Sequence, residues 1–406
     1  MKIWLISVFE QTPVDMVFST RFISIAEAAI KRGHDVTFFA STFKHNTKNQ
    51  RYDKDTIISL NDKYRLIFVK SLSYQKNISI KRLYSHQIFS KHLIKEIKRA
   101  VKPDVILLAF PPISLAYEIT KWASKENIPV IVDIIDPWPD IFRKSMSIIP
   151  SRIQDFVLFP MTRRLKSVFK RASAVIAISN QYINWAKGYY PEIANSKCYY
   201  PAVKFNQIQE QLKLIGTVIK KDTSKFRVIY AGSLASSYDL STILKAAEIL
   251  NSKYGKAIEF VIAGAGPQEK MIQEYLKVNT NLRYLGRLSK EDLMKEYFLS
   301  DIGLTQHIKG ATQSVTYKLF DLLACGLPIM NSLESEMKHI ILENKVGLFN
   351  PPGDAVILAG NIEYCYRNRL EYETFKINAL DLAARLGDAD VVYEDVLNFM
   401  EELIFK

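Results

Sequence analysis

The chain has 406 residues, of which 48% are hydrophobic and 24% are charged. This composition is typical of a soluble globular protein, and no apolar run reaches the roughly 18 residues that a membrane-spanning helix needs. The three cysteines have no metal-type or CxxC spacing, which favours the reducing cytoplasm. The length predicts two domains of about 200 residues each.

The positive charge lies in the first half of the chain. Residues 1–200 carry 31 Lys and Arg against 16 Asp and Glu, whereas residues 201–406 carry 24 against 26. The basic half can attract nucleic acid, an anionic lipid surface or a phosphorylated substrate; a solvated surface is the alternative. No helix-turn-helix, zinc-binding or aromatic strand motif accompanies the charge, so nucleic acid is the least favoured partner.

Short apolar runs alternate with longer segments of helical period, which predicts an α/β protein with parallel sheets. In the first half the predicted helices are 19–32, which ends at Gly33, and 84–101. The predicted strands are 3–9, 36–40, 65–69, 105–109, 130–135 and 174–178.

The same alternation restarts in the second half, after a polar stretch at 204–224 that predicts an interdomain linker with a helical piece. The predicted strands are 227–231, 259–263, 281–284, 302–305 and 328–330, and the predicted helices are 240–251, 267–277, 290–299, 315–324 and 393–405. We therefore expect two Rossmann-like, doubly wound domains, at 1–203 and 204–389, with a last helix at 390–406 that packs back on the first.

Open parallel sheets bind ligands beyond the carboxyl ends of their strands, and two such sheets facing across a cleft suit a diphosphate-containing ligand. The first predicted strand runs into EQTP at 10–13, and the absence of a GxGxxG fingerprint there argues against a nicotinamide or flavin dinucleotide. In the second half, Gly264 and Gly266 follow a predicted strand and open a helix. Such a turn binds phosphate in some proteins and only links strand to helix in others.

The stretch ATQSVTYKLFDLLACGLPIM, at 311–330, combines a polar start, an amphipathic helix and a buried strand. Thr312, Ser314 and Thr316 are candidate caps at the helix start, where the helix dipole favours an anion. Lys318 opposes that dipole in the first turn, which makes sense if it reaches a phosphate; a solvated lysine is the alternative. Asp321, one turn further, can accept hydrogen bonds from ribose hydroxyls.

At these residues the chain resembles glycosyltransferase family 4, a family of retaining enzymes with the two-domain GT-B fold, and the resemblance covers nearly the whole chain. The matching segments, in order, are 31–36 (KRGHDV), 230–234 (YAGSL), 261–267 (VIAGAGP), 284–288 (YLGRL), 300–304 (SDIGL), 314–328 (SVTYKLFDLLACGLP) and 347–354 (GLFNPPGD). A narrower similarity, to a bacterial branch that builds capsule or O-antigen chains, is carried by 15–21 (DMVFSTR), 39–43 (FASTF), 110–112 (FPP) and 136–140 (DPWPD).

The resemblance implies a nucleotide-diphosphate sugar as the donor, UDP- or GDP-linked, and transfer with retention and without a metal or another cofactor. The residues that it implies for donor binding are Gly232, Ser233, Gly264, Gly266, Arg287, Leu288, Thr312, Ser314, Val315, Thr316 and Asp321. Those implied in catalysis are Asp136, Gln313 and Lys318, and Asp136 would orient a hydroxyl; a polar cap at a strand end is the alternative reading of Asp136. Those implied on the acceptor side are Arg21, Phe110 and Trp138.

The chain departs from the family pattern at charged positions. The paired glutamates of the family fall on Gln313 and Asp321, and its basic pair falls near Ser233 and Tyr238. Charge on the diphosphate must then be balanced by Lys318, Arg21, Arg287 or the helix N-terminus. These departures leave open a GT-B-like scaffold that binds without catalysis, and the fold leaves open an epimerase or a phosphorylase.

Two basic segments with interleaved aromatic residues, 74–102 and 148–171, predict a surface that lies on an anionic membrane without spanning it. A solvated helix face is the alternative. We therefore expect a cytoplasmic protein, peripheral on the inner face of the cell membrane. Its acceptor would be a glycan, free or linked to polyprenyl diphosphate, in the biosynthesis of a cell-surface polysaccharide.

Overall fold

The computed structural model describes residues 1–15, 20–77 and 79–405, and for 144 and 145 it describes the backbone alone. The chain divides into two compact units. Unit 1 comprises Met1–Tyr200 and the segment from Asp390 onward, and unit 2 is Pro201–Ala389. Each unit has its own sheet and its own hydrophobic core.

The strands of unit 1 form a mostly parallel sheet. They are β1 (Lys2–Ile6), β2 (Asp35–Ser41), β3 (Phe43–Lys44), β4 (Asn49–Gln50), β5 (Thr56–Asn61), β6 (Tyr64–Val69), β7 (Val105–Phe110), β8 (Val130–Ile134), β9 (Ala174–Ala177) and β10 (Ser196–Cys198). Eight of them pair in the order β10-β9-β8-β7-β1-β2-β6-β5, all parallel except β5 with β6, and β3 and β4 form a separate antiparallel pair. The central strands β7 and β8 are buried at every residue, as expected for a sheet covered on both faces.

Helices cover both faces of this sheet. They are α1 (Arg21–Lys31), α2 (Ile80–Ile97), α3 (Ile113–Lys125), α4 (Ile141–Ser145), α5 (Ser151–Arg171) and α6 (Asn180–Tyr189). Serine hydroxyls cap two of them: Ser79 accepts a hydrogen bond from the Arg82 amide, and Ser179 accepts one from the Tyr182 amide.

Unit 2 repeats the architecture with a six-stranded parallel sheet. Its strands are β11 (Phe226–Ala231), β12 (Ile258–Ala263), β13 (Leu282–Gly286), β14 (Ile302–Thr305), β15 (Ile329–Asn331) and β16 (Gly347–Phe349), in the order β13-β12-β11-β14-β15-β16. Its helices are α7 (Phe205–Val218), α8 (Leu240–Tyr254), α9 (Glu269–Leu276), α10 (Lys290–Leu299), α11 (Tyr317–Ala324), α12 (Glu336–Glu343), α13 (Ala355–Arg367) and α14 (Arg369–Leu386).

The last helix, α15 (Ala389–Phe405), packs on unit 1 from Asp390 onward. Arg32 donates a hydrogen bond to Glu394 at 2.6 Å, and His34 contacts Glu401 at 3.0 Å. None of the helices in the described part of the chain is long and apolar enough to cross a membrane.

The α/β prediction with two Rossmann-like sheets is confirmed. Several predicted boundaries are wrong: the first strand ends at Ile6 rather than at 9, α2 begins at Ile80, and the helix predicted at 315–324 begins at Tyr317. The stretch predicted as a linker is largely helical, because α7 spans 14 residues of it. Position 19 of the predicted helix 19–32, and 16–19 of the DMVFSTR segment, lie outside the described residues.

A buried ion pair joins α1 to the central strand β8. Arg21 and Asp133 are both fully buried, and Arg21 donates from Nε to Oδ2 at 2.6 Å and from Nη2 to Oδ1 at 3.2 Å. Nη1 of Arg21 donates to the carbonyl of Tyr199 at 2.9 Å. Such a two-point pair offsets the cost of removing both charges from water, but either charge alone would be left uncompensated.

We expect Asp133→Leu to destabilise unit 1 by about 3–5 kcal/mol, because it removes the carboxylate that accepts two hydrogen bonds from the buried Arg21. The double variant Arg21→Met/Asp133→Leu should recover most of that loss. Lys102→Met, which breaks an exposed pair with Glu126, should change stability by no more than about 1 kcal/mol. Denaturant unfolding followed by tryptophan fluorescence measures this unit alone, because all four tryptophans lie in it, at Trp4, Trp122, Trp138 and Trp185. A double variant as unstable as Asp133→Leu would contradict the ion-pair explanation.

Candidate functional site

The sheet of unit 2 changes direction between β11 and β14. From β11 the chain proceeds outward through β12 and β13, and from β14 it proceeds the opposite way through β15 and β16. Open α/β sheets bind ligands at the carboxyl ends of strands at such a switch point. The residues that follow β11 and β14, together with the start of α11, are therefore the candidate site of this unit.

The loops after β11 and β12 are packed backbone against backbone. Gly264 has a φ of +147°, and a Cβ at that position would lie 1.8 Å from the carbonyl oxygen of Gly232. A Cβ on Gly266 would similarly lie 2.9 Å from the carbonyl oxygen of Leu234. The loops are joined by hydrogen bonds, including one from the Gly232 amide to the carbonyl of Ala263 at 2.9 Å. The glycines of the GAGP segment thus hold the two loops together, and they need no bound phosphate to explain them.

Lys318, in the first turn of α11, points its ammonium group at two aromatic rings. Its Nζ lies 3.9 Å from the ring centroid of Tyr230 and 4.8 Å from that of Tyr238. Nζ is buried and has no hydrogen-bond partner in the part of the chain that the structure describes. A Cβ at position 232 would lie 2.9 Å from Nζ, so the close approach requires Gly232. Burial lowers the pKa of Lys318 to about 7, opposed by the charge of Asp321.

Two further buried polar atoms near the start of α11 have no hydrogen-bond partner among the described residues: Nε2 of His307 and Oε1 of Gln313. The His307 ring lies 5.0 Å from that of Tyr238. Burial, assisted by the charge of Lys318, lowers the pKa of His307 to about 4, so this ring is neutral at pH 7. Buried polar groups in native proteins are nearly always hydrogen-bonded. Three such atoms near one helix start indicate that a polar ligand completes their bonding.

The start of α11 lacks a side-chain cap from Thr316. Thr316 occupies the cap position, but its hydroxyl donates to Sδ of Met337 at 3.6 Å instead, so the predicted capping role of Thr316 is wrong. Ser314 and Val315, which precede it, are buried, and the Ser314 carbonyl accepts a hydrogen bond from Ser335. Thr312 and Gln313 are half-buried in the same loop. A helix start whose N-cap residue gives no side-chain hydrogen bond to the first turn is suited to an anion.

Asp321 lies on α11 beside the start of α10. Burial raises its pKa to about 6, and the charges of Lys290 and Lys318 oppose that rise. Lys290 is the first residue of α10 and follows the exposed Arg287 and half-buried Leu288 after β13. The structure therefore brings the predicted ribose-binding residue near the segment predicted to hold the base. Gly232 and Ser233 are exposed beside Lys318.

The three side chains predicted on the acceptor side are enclosed within unit 1. Arg21 and Phe110 have no exposed surface, and Trp138 is 3% exposed. Phe110 packs against Phe169 and Trp185. In this structure Arg21 forms an ion pair, and Phe110 and Trp138 pack against aromatic rings; their contact with an acceptor stays a prediction. Asp136, by contrast, is exposed after β8.

Three aromatic residues near Lys318 were not predicted from the sequence. Tyr230 lies in β11, Tyr238 in the loop after β11, and His307 just after the end of β14. One signal was available, because Tyr238 stands near the position where the family carries a basic residue. Its contact with Lys318, 80 residues away, depends on the folded sheet.

Two family models match the chain, one in each unit. The model described as Glycosyl transferases group 1 matches residues 215–381, and the model described as Glycosyltransferase Family 4 matches residues 19–199. One curated relative, the UDP-glycosyltransferase TURAN of Arabidopsis thaliana, is 29% identical over 93 residues. That match covers 22% of this chain and only a fifth of the relative's length.

Solved structures share the fold over the full chain. Sucrose-phosphate synthase from Thermosynechococcus elongatus has a TM-score of 0.74 at 15% identity. The match covers 100% of this chain and 99% of the synthase chain. Anabaena HepE in complex with UDP-glucose has a TM-score of 0.65 at 13% identity, with 99% of this chain and 100% of that chain covered. WaaG, a glycosyltransferase involved in lipopolysaccharide biosynthesis, has a TM-score of 0.64 at 13% identity, and the match covers 98% of this chain and 99% of the WaaG chain.

Each unit thus matches a glycosyltransferase family model, and the chain shares its fold with solved sugar-transferring enzymes over nearly its whole length. The chain belongs to the glycosyltransferases of the GT-B fold.

Proposed function

We propose that this glycosyltransferase moves a sugar from a UDP- or GDP-sugar to a lipid-linked glycan, with retention of configuration, in the assembly of a cell-surface polysaccharide. The observation that carries the donor half is the buried ammonium of Lys318, which has aromatic neighbours and no hydrogen-bond acceptor among the described residues. A diphosphate supplies the acceptors that this ammonium lacks. The UDP-glucose in the HepE complex and the name of the Arabidopsis relative favour uridine as the base.

In this proposal the donor diphosphate lies at the start of α11, where Lys318 and the helix dipole both favour negative charge. Gln313 accepts a hydrogen bond from a sugar hydroxyl through its unpaired Oε1. Asp321 accepts hydrogen bonds from the ribose, and the segment at Arg287 and Leu288 contacts the base. The loops at Gly232 and Gly264 contribute close backbone rather than charge.

Catalysis in this proposal follows from the same contacts. As the glycosidic bond breaks, negative charge grows on the leaving diphosphate, and donors already aimed at it stabilise the transition state more than the ground state. The acceptor hydroxyl attacks from the face that the diphosphate leaves and passes its proton to a phosphate oxygen, so no strong protein base is needed. Lys318 and the helix N-terminus carry the compensating charge, and we therefore propose that transfer needs no metal. Asp136 would orient the acceptor hydroxyl.

The lipid-linked acceptor is supported by one surface of unit 1. The first half of α5 exposes large apolar side chains beside Arg152 and Asp155: Phe156 is 81% and Phe159 is 60% exposed, and Ile148 just before the helix is 99% exposed. Over its second half the exposed residues are basic, including Arg163, Arg164, Lys166 and Lys170. An exposed apolar patch next to basic residues suits an anionic bilayer. The lipopolysaccharide role in the description of WaaG agrees with an acceptor at a membrane.

We expect Lys318→Met to weaken binding of the donor about 10- to 100-fold, because it removes a charge-assisted hydrogen bond worth about 1.5–3 kcal/mol. The melting temperature should not fall, since the variant also removes an unpaired buried charge. Lys309→Met, which removes an exposed charge from the same loop, is the matched control. A thermal-shift screen of UDP, GDP, dTDP and CMP sugars first identifies the donor, and calorimetric titration then measures its affinity.

Unchanged affinity and turnover in both Lys318→Ala and Asp321→Ala would refute the donor site, and binding without turnover in the wild type would favour a non-catalytic scaffold.

Donor affinity should also depend on pH through Lys318. Its pKa in the free protein is about 7, and a bound diphosphate favours the charged form, so binding takes up a proton above that pH. The contribution of Lys318 to affinity should therefore be constant below pH 7 and fall by up to tenfold per pH unit above it. In Lys318→Met the same titrations should show no break near pH 7. A break that persists in the variant would assign the titration to another group.

Membrane binding should depend on both halves of the α5 surface. Phe156→Ser/Phe159→Ser should abolish flotation with vesicles of anionic lipid, and Arg163→Gln/Arg164→Gln should weaken it about 30-fold, at about 1 kcal/mol per basic residue. Leu370→Ser, which removes an equally exposed apolar residue from α14, should bind as the wild type does. Failure of the wild-type protein to float with anionic vesicles at low salt would remove the membrane part of the proposal.

A further inference from the structure

A second group of cations, here half-buried, lies in unit 1, at the carboxyl edge of its sheet, and has no carboxylate partner within 4 Å among the described residues. Four segments contribute to it: the loop after β1, the residues after β3, the residues after β6 and the first turns of α2, with Trp138 from the segment after β8. We call it the Arg82 cluster, and its members are Phe9, His45, Lys48, Tyr74, Arg82, His86 and Trp138. It lies where the chain leaves β1, and the sheet changes direction between β1 and β7.

Arg82 is held by aromatic rings rather than by carboxylates. Its guanidinium carbon lies 4.9 Å from the ring of Phe9, 4.9 Å from that of Trp138 and 5.8 Å from that of Tyr74. Nη1 donates to the carbonyl of Asn77, but Nε is buried and has no hydrogen-bond partner among the described residues. Arginine offers five N–H donors in a planar fork, so the unpaired Nε can donate to an oxyanion that enters the cluster.

Lys48 adds a second cation to the same place. Its Nζ lies 5.1 Å from the ring of Tyr74 and 3.2 Å from Nδ1 of His45, and it donates to Oδ1 of Asn77 at 2.6 Å. Burial and the charge of Arg82 lower the pKa of Lys48. The two cations therefore raise each other's free energy in the unoccupied protein.

His86 is a third polar side chain of the cluster. It is 1% exposed, and neither of its ring nitrogens has a hydrogen-bond partner in the described part of the chain. Its ring lies 5.1 Å from that of Phe9 and 6.0 Å from that of Trp138. Burial, followed by the charge of Arg82, lowers the pKa of His86 to about 3. A neutral imidazole can donate one hydrogen bond to an oxyanion.

The charge of the cluster is not balanced by the fold. Two other arginines of unit 1 with buried side chains pair with carboxylates, Arg21 with Asp133 at 2.6 Å and Arg51 with Asp15 at 2.8 Å. Within the described residues, no carboxylate lies within 4 Å of Arg82 or Lys48, although Asp136 is near enough to influence Arg82. Uncompensated cations beside unsatisfied buried donors are the signature of a site whose ligand is an anion.

We propose that the Arg82 cluster binds the diphosphate of the acceptor. The identity of the anion rests on the proposed function, in which the acceptor is linked to polyprenyl diphosphate; the anion site itself rests on the contacts alone. The Arg82 fork and the Lys48 ammonium donate to the phosphate oxygens, and the neighbouring rings exclude water, which strengthens both contacts. The exposed Asp136 lies beside the cluster, where it can orient a hydroxyl of the sugar that the diphosphate carries.

The test measures binding of geranyl diphosphate, pyrophosphate and inorganic phosphate to the full-length protein by calorimetric titration. Saturating UDP occupies the donor site, and a Lys318→Met background repeats the titration with that site weakened. Geranyl diphosphate and pyrophosphate should bind the wild type, and Arg82→Met should weaken both at least tenfold. Arg82→Lys should retain part of the affinity, and Lys91→Met, which removes an exposed charge from the same helix, should retain all of it.

Each contrary result has a distinct meaning. Equal pyrophosphate affinity in the wild type and Arg82→Met would overturn the site, and Lys48→Gln repeats the comparison if Arg82→Met does not fold. Tighter binding of inorganic phosphate than of either diphosphate would mean that the ligand of the cluster is a free anion and not the diphosphate of the acceptor. If the wild-type protein binds no nucleotide sugar, the proposed function is overturned. Pyrophosphate binding that depends on Arg82 would still support the anion site in that case. With a diphosphate-linked acceptor, Arg82→Met should raise the KM for acceptor while the KM for donor stays unchanged.

Discussion

The geometry of unit 2 at its switch point depends on the burial of one ammonium group. Lys318 reaches the faces of Tyr230 and Tyr238, and a Cβ at position 232 would lie within 3 Å of its Nζ, so that position is glycine. Gly232 also lies against the loop after β12, where a Cβ on Gly264 would lie 1.8 Å from the carbonyl oxygen of Gly232. His307 is kept neutral by burial and by this neighbouring charge. The lysine therefore sets both the shape and the charge of the candidate donor site.

This arrangement replaces charges that related enzymes place elsewhere. With Gln313 at the position of one family glutamate and no basic pair near Ser233, the site holds few permanent charges. Lys318 and Asp321 are both buried, with pKa values of about 7 and 6, so burial penalises the charged form of each in the empty site. A bound diphosphate favours the charged form of Lys318. Its attraction to the ammonium offsets part of the free-energy cost of burying that charge. Fewer fixed charges thus need not mean weaker binding.

The sequence predicted what depends on local periodicity and missed what depends on distant contacts. Eleven strands of the two sheets and the first-turn position of Lys318 follow from short patterns and are found within a few residues of their predicted bounds, whereas the short edge strands β10 and β16 were not predicted. The edge strand β5 was missed because it is largely exposed on both faces and shows no apolar alternation. Arg21 was expected to contact a ligand, and its ion pair with Asp133, 112 residues away in an otherwise apolar strand, was not predicted. Nothing local to Arg21 indicates that this partner exists.

The two candidate sites use one physical device with two different cations. In each unit a cation lies on aromatic faces at the carboxyl edge of a parallel sheet and has a buried nitrogen without an acceptor among the described residues. Lys318 can lose its proton near neutral pH, so the empty site of unit 2 can relieve its own electrostatic strain. Arg82 cannot, because guanidinium stays protonated in proteins. The charge in unit 1 therefore persists whether or not a ligand is present, and its aromatic neighbours compensate only part of the missing hydrogen bonds. A site of this kind favours a permanent anion, and a diphosphate that keeps its charge across the physiological range meets that requirement.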